Sequence, residues 1–265
     1  MMQAKGTILE AIVRDTRGVI SARKAERSLS TLESMSGFAR FPLSLARVLS
    51  EPVFSVIAEA KKASPSKGVI REDFDVVSIA REYQDGGAAA VSILTEPLYF
   101  QGDIAFLESC RPHIQIPILR KDFIVDTYQI HEARAFGADA VLLIAACLER
   151  SQIAELQDAA KELGLSVLVE LYAPSELDLI EVDRTDIIGV NSRDLHTFEV
   201  NIDRSIDILN RLPQHVIRVA ESGIESQNDG LHLRDNGVHA ALIGEYFMRE
   251  EHPGVALASF LKGLA

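Results

Sequence analysis

The sequence predicts an α/β fold, a (β/α)8 (TIM) barrel behind an N-terminal helical extension, and three observations lead there. After residue 50, eight short β-type apolar runs alternate with helical segments, the sequence form of a parallel sheet with crossover helices. A helix-ending glycine followed by a buried run recurs at Gly87, Gly137 and Gly237, at intervals of 50 and 100 residues, or two and four units of 25. Eight such units fit the 215 residues that follow residue 50. A doubly wound open sheet is the alternative, but no Gly-x-Gly-x-x-Gly follows the first strand, as a dinucleotide fold requires.

The elements follow in chain order. Ile8, Leu9, Ile12 and Val13 have the spacing of an amphipathic helix. Charged residues crowd positions 14–33, and Gly37 and Pro42 precede a short helical piece at 43–49. The extension is assigned to residues 1–50 and the catalytic barrel to 51–265. Strands are expected at 54–60, 89–94, 116–121, 139–144, 166–171, 186–191, 215–221 and 239–244. Helices are expected at 75–85, 127–136, 151–163, 202–211 and 226–235.

Composition removes several function classes. With 265 residues, 47% of them hydrophobic, the chain has enough apolar mass for a large core, which excludes disorder. A formal net charge of −12 argues against nucleic acid or an anionic membrane as partner, though it permits a local basic pocket. Cys110 and Cys147 match no zinc spacing and read as buried free thiols. The longest apolar run, 138–148, is interrupted by Asp139 and is too short for a bilayer. The N-terminus lacks a signal-peptide stretch, so a cytoplasmic protein is expected. None of the seven histidines forms a ligand pair, and no metal site is expected.

Chemistry in such a barrel belongs at the C-terminal ends of the strands, where residues i and i+2 share a face. The first strand ends Ile57-x-Glu59-x-Lys61, the third Leu119-x-Lys121 and the fifth Leu168-x-Glu170. The sixth ends Gly189-x-Asn191-x-Arg193 and the seventh Val219-x-Glu221, followed by Ser222 and Gly223. In phase with the pleat, these tips gather three carboxylates, two lysines, an arginine and an asparagine in one mouth. Charges converging there shift one another's pKa values and serve as general acids and bases.

Loops after the seventh and eighth barrel strands often hold phosphate. Gly223 and Gly244 let backbone N–H groups approach an anion closely, and Ser64-Pro65-Ser66-Lys67-Gly68 adds hydroxyls and a lysine. Phe100 and Phe123 follow strands two and three, where they could pack or cover an aromatic substrate.

These motifs resemble the indole-3-glycerol phosphate synthase family over about residues 8–249. The likeness rests on Ile57–Gly68 (IAEAKKASPSKG), Leu119–Phe123 (LRKDF), Gly189–Leu195 (GVNSRDL) and Glu221–Ile224 (ESGI), all in order. The resemblance implies a carboxy-lyase of tryptophan biosynthesis. It closes the ring of 1-(2-carboxyphenylamino)-1-deoxyribulose 5-phosphate, then releases carbon dioxide and water to give indole-3-glycerol phosphate. It implies Lys121 as general acid for ring closure, and Lys61, Glu59 and Glu170 as the groups of the dehydration. Asn191 and Ser222 complete the implied catalytic set. Arg193, Phe100, Phe123, Leu142, Leu195, Glu221 and Ile243 are implied to bind substrate. Lys61, Ser64, Ser222, Gly223, Gly244 and Glu245 are implied to hold its phosphate. The implied partner is a phosphorylated small molecule, with no cofactor, no nucleic acid and no membrane, in a monomer or weak homo-oligomer.

Two positions depart from the family pattern. Glu245-Tyr246 stands where a small hydroxyl or a Glu-Ser pair is frequent, and Ser192 replaces a frequent Asn. A Glu245 side chain turned inward would repel phosphate, whereas its amide alone would not. The residues by themselves leave open a Schiff-base aldolase using Lys121, or a non-catalytic sugar-phosphate sensor.

Overall fold

Eight strands close into one parallel barrel in the computed structural model, which describes residues 7–193 and 199–264. They are β1 (Ser55–Ala60), β2 (Ala90–Leu94), β3 (Ile118–Lys121), β4 (Ala140–Ile144), β5 (Ser166–Leu171), β6 (Ile187–Asn191), β7 (Ile217–Glu221) and β8 (Ala240–Ile243). Each pairs in parallel with the next, and β8 returns to β1 through Ser55 opposite Ala240 and Ala58 opposite Ile243. All eight lie inside the expected runs, because a buried parallel strand is an almost continuous apolar stretch.

One long and two short α-helices precede the barrel: α1 (Ile8–Glu26), α2 (Leu29–Glu33) and α3 (Leu45–Leu49). Thr7 starts α1 with a capping box, its hydroxyl accepting from the Glu10 N–H while the Glu10 carboxylate accepts from the Thr7 N–H. The outer helices are α4 (Val76–Asp85), α5 (Ala105–Cys110), α6 (Thr127–Ala135), α7 (Arg150–Glu162), α8 (Ile202–Leu209), α9 (Gln227–Asp235), α10 (Glu245–Met248) and α11 (Pro253–Lys262). Asp75, Asp126 and Ser226 cap the starts of α4, α6 and α9. The crossover from β5 to β6 has no α-helix. Two 3-10 turns, Pro174–Leu179 and Val182–Arg184, replace it. Leu177 and Ile180 pack there three residues apart, the repeat of a 3-10 helix.

Gly87, Gly137 and Gly237 adopt φ of 94°, 92° and 78°, the left-handed exit expected of a helix-ending glycine. Two apolar layers result. Val56, Ala58, Val91, Val141 and Val169 face the helices, while Ile57, Ala90, Leu119, Ala140, Leu168 and Val219 face the barrel axis. Leu45 and Leu49 of α3, both fully buried, join this inner layer. The extension thus plugs the N-terminal end of the barrel.

Asp139 fastens the plug. Its buried carboxylate receives the Arg40 and Arg111 guanidinium groups at 2.7 and 2.6 Å, and the N–H groups of Leu43 and Ile118 at 2.7 and 2.8 Å. A buried carboxylate persists only when so surrounded. Of the two thiols, Cys110 is buried and Cys147 only partly so. Among the described residues, no helix is long and apolar enough to cross a membrane.

Candidate active site

With the other end plugged, the open mouth at the strands' C-terminal ends holds a cavity of about 190 Å³. Every residue that the resemblance assigns to catalysis or binding borders it except Leu195, which lies outside the described residues. The two-residue pleat explains the convergence. Along β3, Leu119 and Lys121 point to the axis while Arg120 points outward into full burial. Arg120 meets Asp122 at 2.8 Å and Glu132 at 2.9 Å and donates to the Gln129 carbonyl at 2.8 Å. Lys121 is therefore carried on a strand end whose outward neighbour is fixed on several sides.

The charged tips form two groups. Lys61 Nζ lies 2.6 Å from Glu59 Oε1. Lys121 Nζ lies 2.8 Å from Glu170 Oε2 and 3.0 Å from Glu221 Oε2. Asn191 bridges onward, its Nδ2 donating to Glu170 Oε1 at 3.1 Å and its Oδ1 accepting from the Arg193 N–H at 3.0 Å. Two glycines make room for these carboxylates. A Cβ on Gly244 would lie 2.7 Å from Glu59 Oε1, and one on Gly189 would collide with Glu221 Oε1.

Two carboxylates facing one ammonium cannot both ionise freely. Burial pushes the Glu221 carboxyl up to about 8, opposed by the Lys121 ammonium and aided by the Glu170 charge. Glu170 also suffers burial, but Lys121 and the hydrogen bonds from Lys121, Asn191 and Glu221 outweigh it and hold its pKa low. Burial likewise works against the Lys121 charge, but Glu170, Glu221 and Glu59 more than offset it and raise its pKa. At neutral pH the group is an ammonium, a carboxylate and a carboxylic acid within hydrogen-bond reach.

Beside these groups, part of the rim has backbone that an anion could approach. Ser222 and Gly223 both take left-handed backbone, at φ of 64° and 74°. Such backbone is rare for serine and gathers at functional sites. Ser64, Gly244 and Glu245 border the same region. The Glu245 side chain does face the cavity, but among cations: Lys67 at 3.6 Å, Arg193 at 3.7 Å and Arg249, with which it forms a close ion pair. Three positive groups around one carboxylate leave this rim net positive.

Apolar residues complete the walls. The Phe100 and Phe123 rings stand 6.0 Å apart. Leu142 faces the axis, whereas Ile243, one position out of phase with the inward residues of β8, packs in the outer layer while still bordering the cavity. Ile8, Leu9 and Ile12 of α1 also line it, which sequence reasoning missed. Their apolar spacing was visible, but a stripe does not reveal what it covers. Arg249 was missed as well, whereas Lys67 had been named as the lysine of the segment 64–68. Ser192, in place of the frequent Asn, is fully buried and hydrogen-bonded to the Ser205 hydroxyl at 2.9 Å.

A closed parallel barrel with acid–base side chains at the C-terminal mouth and a cationic rim defines a (β/α)8-barrel enzyme. Its fold resembles that of 3-hexulose-6-phosphate synthase from Salmonella typhimurium, with a TM-score of 0.64, 15% identity, and coverage of 80% of this chain and 98% of that one. The sequence pattern of indole-3-glycerol phosphate synthase matches residues 9–260. The indole-3-glycerol phosphate synthase of Salinibacter ruber is 52% identical over 254 residues, 95% of this chain and 94% of that protein. The Leptothrix cholodnii enzyme of that name is 45% identical over 256 residues, 95% and 98% of the two chains. The chain belongs to the indole-3-glycerol phosphate synthase family, whose members are decarboxylating lyases of tryptophan biosynthesis.

Proposed function

We propose that the chain converts 1-(2-carboxyphenylamino)-1-deoxyribulose 5-phosphate to indole-3-glycerol phosphate, carbon dioxide and water, with Lys121 as general acid. The observation that carries this reading is the Lys121 ammonium, partly buried between Glu170 and Glu221 in an aromatic-walled cavity. Ring closure joins the aromatic carbon that bears the carboxylate to the substrate's ketone carbon. Negative charge then develops on the ketone oxygen, and a fixed cationic donor lowers that barrier by giving its proton as the bond forms. Loss of carbon dioxide restores the aromatic ring. Dehydration then needs an acid on the leaving hydroxyl and a base for the ring-side proton, roles assigned among Lys61, Glu59 and Glu170.

The same geometry supports a set of binding roles. Arg193 and Lys61 offset the charge of the substrate carboxylate, with Asn191 as a neutral hydrogen-bond partner. Phe100, Phe123 and Leu142 hold the aryl ring, bringing its carbon to the ketone and lowering the barrier through orientation. The phosphate rests on Ser64, Ser222, Gly223, Gly244 and the Glu245 amide, near Lys61. Lys67, Arg193 and Arg249 surround the Glu245 carboxylate, which supports phosphate binding at this rim despite its charge.

Adding the substrate to purified protein tests the reading. Indole emission is expected to grow with an equimolar release of carbon dioxide. Protein that is folded by circular dichroism yet forms no indole would end it.

A further inference from the structure

The loop between β2 and α5 is irregular, yet it delivers an aromatic side chain to the cavity. Glu96 opens it and is only 2% exposed. Its carboxylate accepts three successive backbone N–H groups, from Leu98 at 2.9 Å, Tyr99 at 2.7 Å and Phe100 at 3.1 Å. Its carbonyl accepts a fourth, from Gly102 at 2.8 Å. Gln101 completes the turn in left-handed backbone at φ of 52°. The loop therefore wraps around one side chain, and the charge-assisted bonds at its centre are of the strong kind.

Glu96 is not among the residues that line the cavity, whereas Phe100, at the end of its hydrogen-bond series, is. The Phe100 ring pairs with Phe123 across 6.0 Å. The neighbouring Tyr99 hydroxyl donates to Asp15 on α1 at 2.7 Å, tying the loop to the helix whose Ile8, Leu9 and Ile12 line the same space. Removing the carboxylate strands three amide donors and frees the segment that carries the ring.

We infer that Glu96 is a positioning residue: its carboxylate folds the loop so that Phe100 becomes a wall of the aryl-binding cavity. The inference rests on the proposed function for the identity of the ring that Phe100 meets. Glu96 exchanges no proton with substrate and acts through Phe100 alone.

The chain contains no tryptophan, so Phe100→Trp supplies a sole indole reporter in the ligand-free protein. Adding Glu96→Gln, which keeps the side chain's shape, is expected to red-shift its emission and increase its quenching by acrylamide. Adding Glu96→Ala is expected to do so more strongly. Emission and quenching indifferent to both substitutions overturn the inference, whatever the protein turns over. In kinetics, Glu96→Ala in the native background is expected to lower kcat/KM by on the order of 10²-fold. In a Phe100→Ala background it is expected to lower it no further. Equal losses in both backgrounds overturn the inference. Folded native protein without turnover overturns the proposed function instead, and the reporter arm still decides the role of Glu96.

Discussion

At the residue scale, the proposed chemistry depends on an uneven sharing of protons among Lys121, Glu170 and Glu221. Lys121 keeps its proton because carboxylates surround it, and Glu221 keeps one because burial and Glu170 discourage a second negative charge. Above about pH 8, Glu221 ionises and binds the Lys121 proton more tightly, making Lys121 a poorer donor. A basic limb near that value is therefore expected in the pH dependence of kcat, as a property of the coupled group. Glu221→Gln is expected to remove the limb; an identical profile in that variant contradicts the assignment. Gly244→Ala tests the fit around Glu59. A methyl group placed 2.7 Å from Oε1 must displace that carboxylate, and kcat is expected to fall by on the order of 10²-fold in a folded protein. Most of these side chains were legible because strand phase is strict: Glu59 and Lys61, or Gly189 and Asn191, fall on the same face as the barrel-facing residues before them. Glu245 was not legible in the same way. The sequence gives its sign, but its neutralising partners Lys67 and Arg193 lie far away in the chain and meet it only after closure.

At the element scale, the extension serves both ends of the barrel. Helix α3 seals the N-terminal end with Leu45 and Leu49, and α1 lines the mouth with Ile8, Leu9 and Ile12. Leu49→Ala is expected to cost about 2–5 kcal/mol in a urea titration, with kcat preserved because the site lies at the other end. Ile12→Ala is expected to raise KM severalfold with kcat unchanged, the mark of lost uniform binding. A fall in kcat with unchanged KM would instead place α1 in the chemical step. The sequence carried the periodicity of both helices but not their destinations. A two-leucine face on a five-residue helix becomes a plug only against a closed ring of strands. The β5–β6 crossover was harder still, since its apolar residues recur at three-residue steps and lack a sustained 3.6-residue stripe.

At the scale of the whole molecule, the site is linked to stability through its protons. Glu221 has a folded pKa raised from 4.5 to about 8. Its contribution to stability is therefore full below pH 4.5 and is lost as the pH rises through about 8. Glu170, with its lowered pKa, contributes in the opposite sense, present above its ordinary value and lost on acidification. Urea midpoints measured from pH 5 to 9 are expected to decline more steeply in the native protein than in Glu221→Gln. Parallel curves contradict the raised value. The eight strands were readable because each is a compact apolar run, five of them ending at a polar tip, and the recurring glycines set the period. The cavity was readable only as a consequence of closure, since its walls come from strands, loops and the extension together. The proposed chemistry turns on the partly buried Lys121 ammonium protonating the ketone oxygen during ring closure. Single-turnover kinetics of Lys121→Ala with saturating substrate test it most directly. Substrate affinity within a few-fold of native and indole formation slower by about 10²–10⁴-fold are predicted; indole formation at the native rate would contradict it.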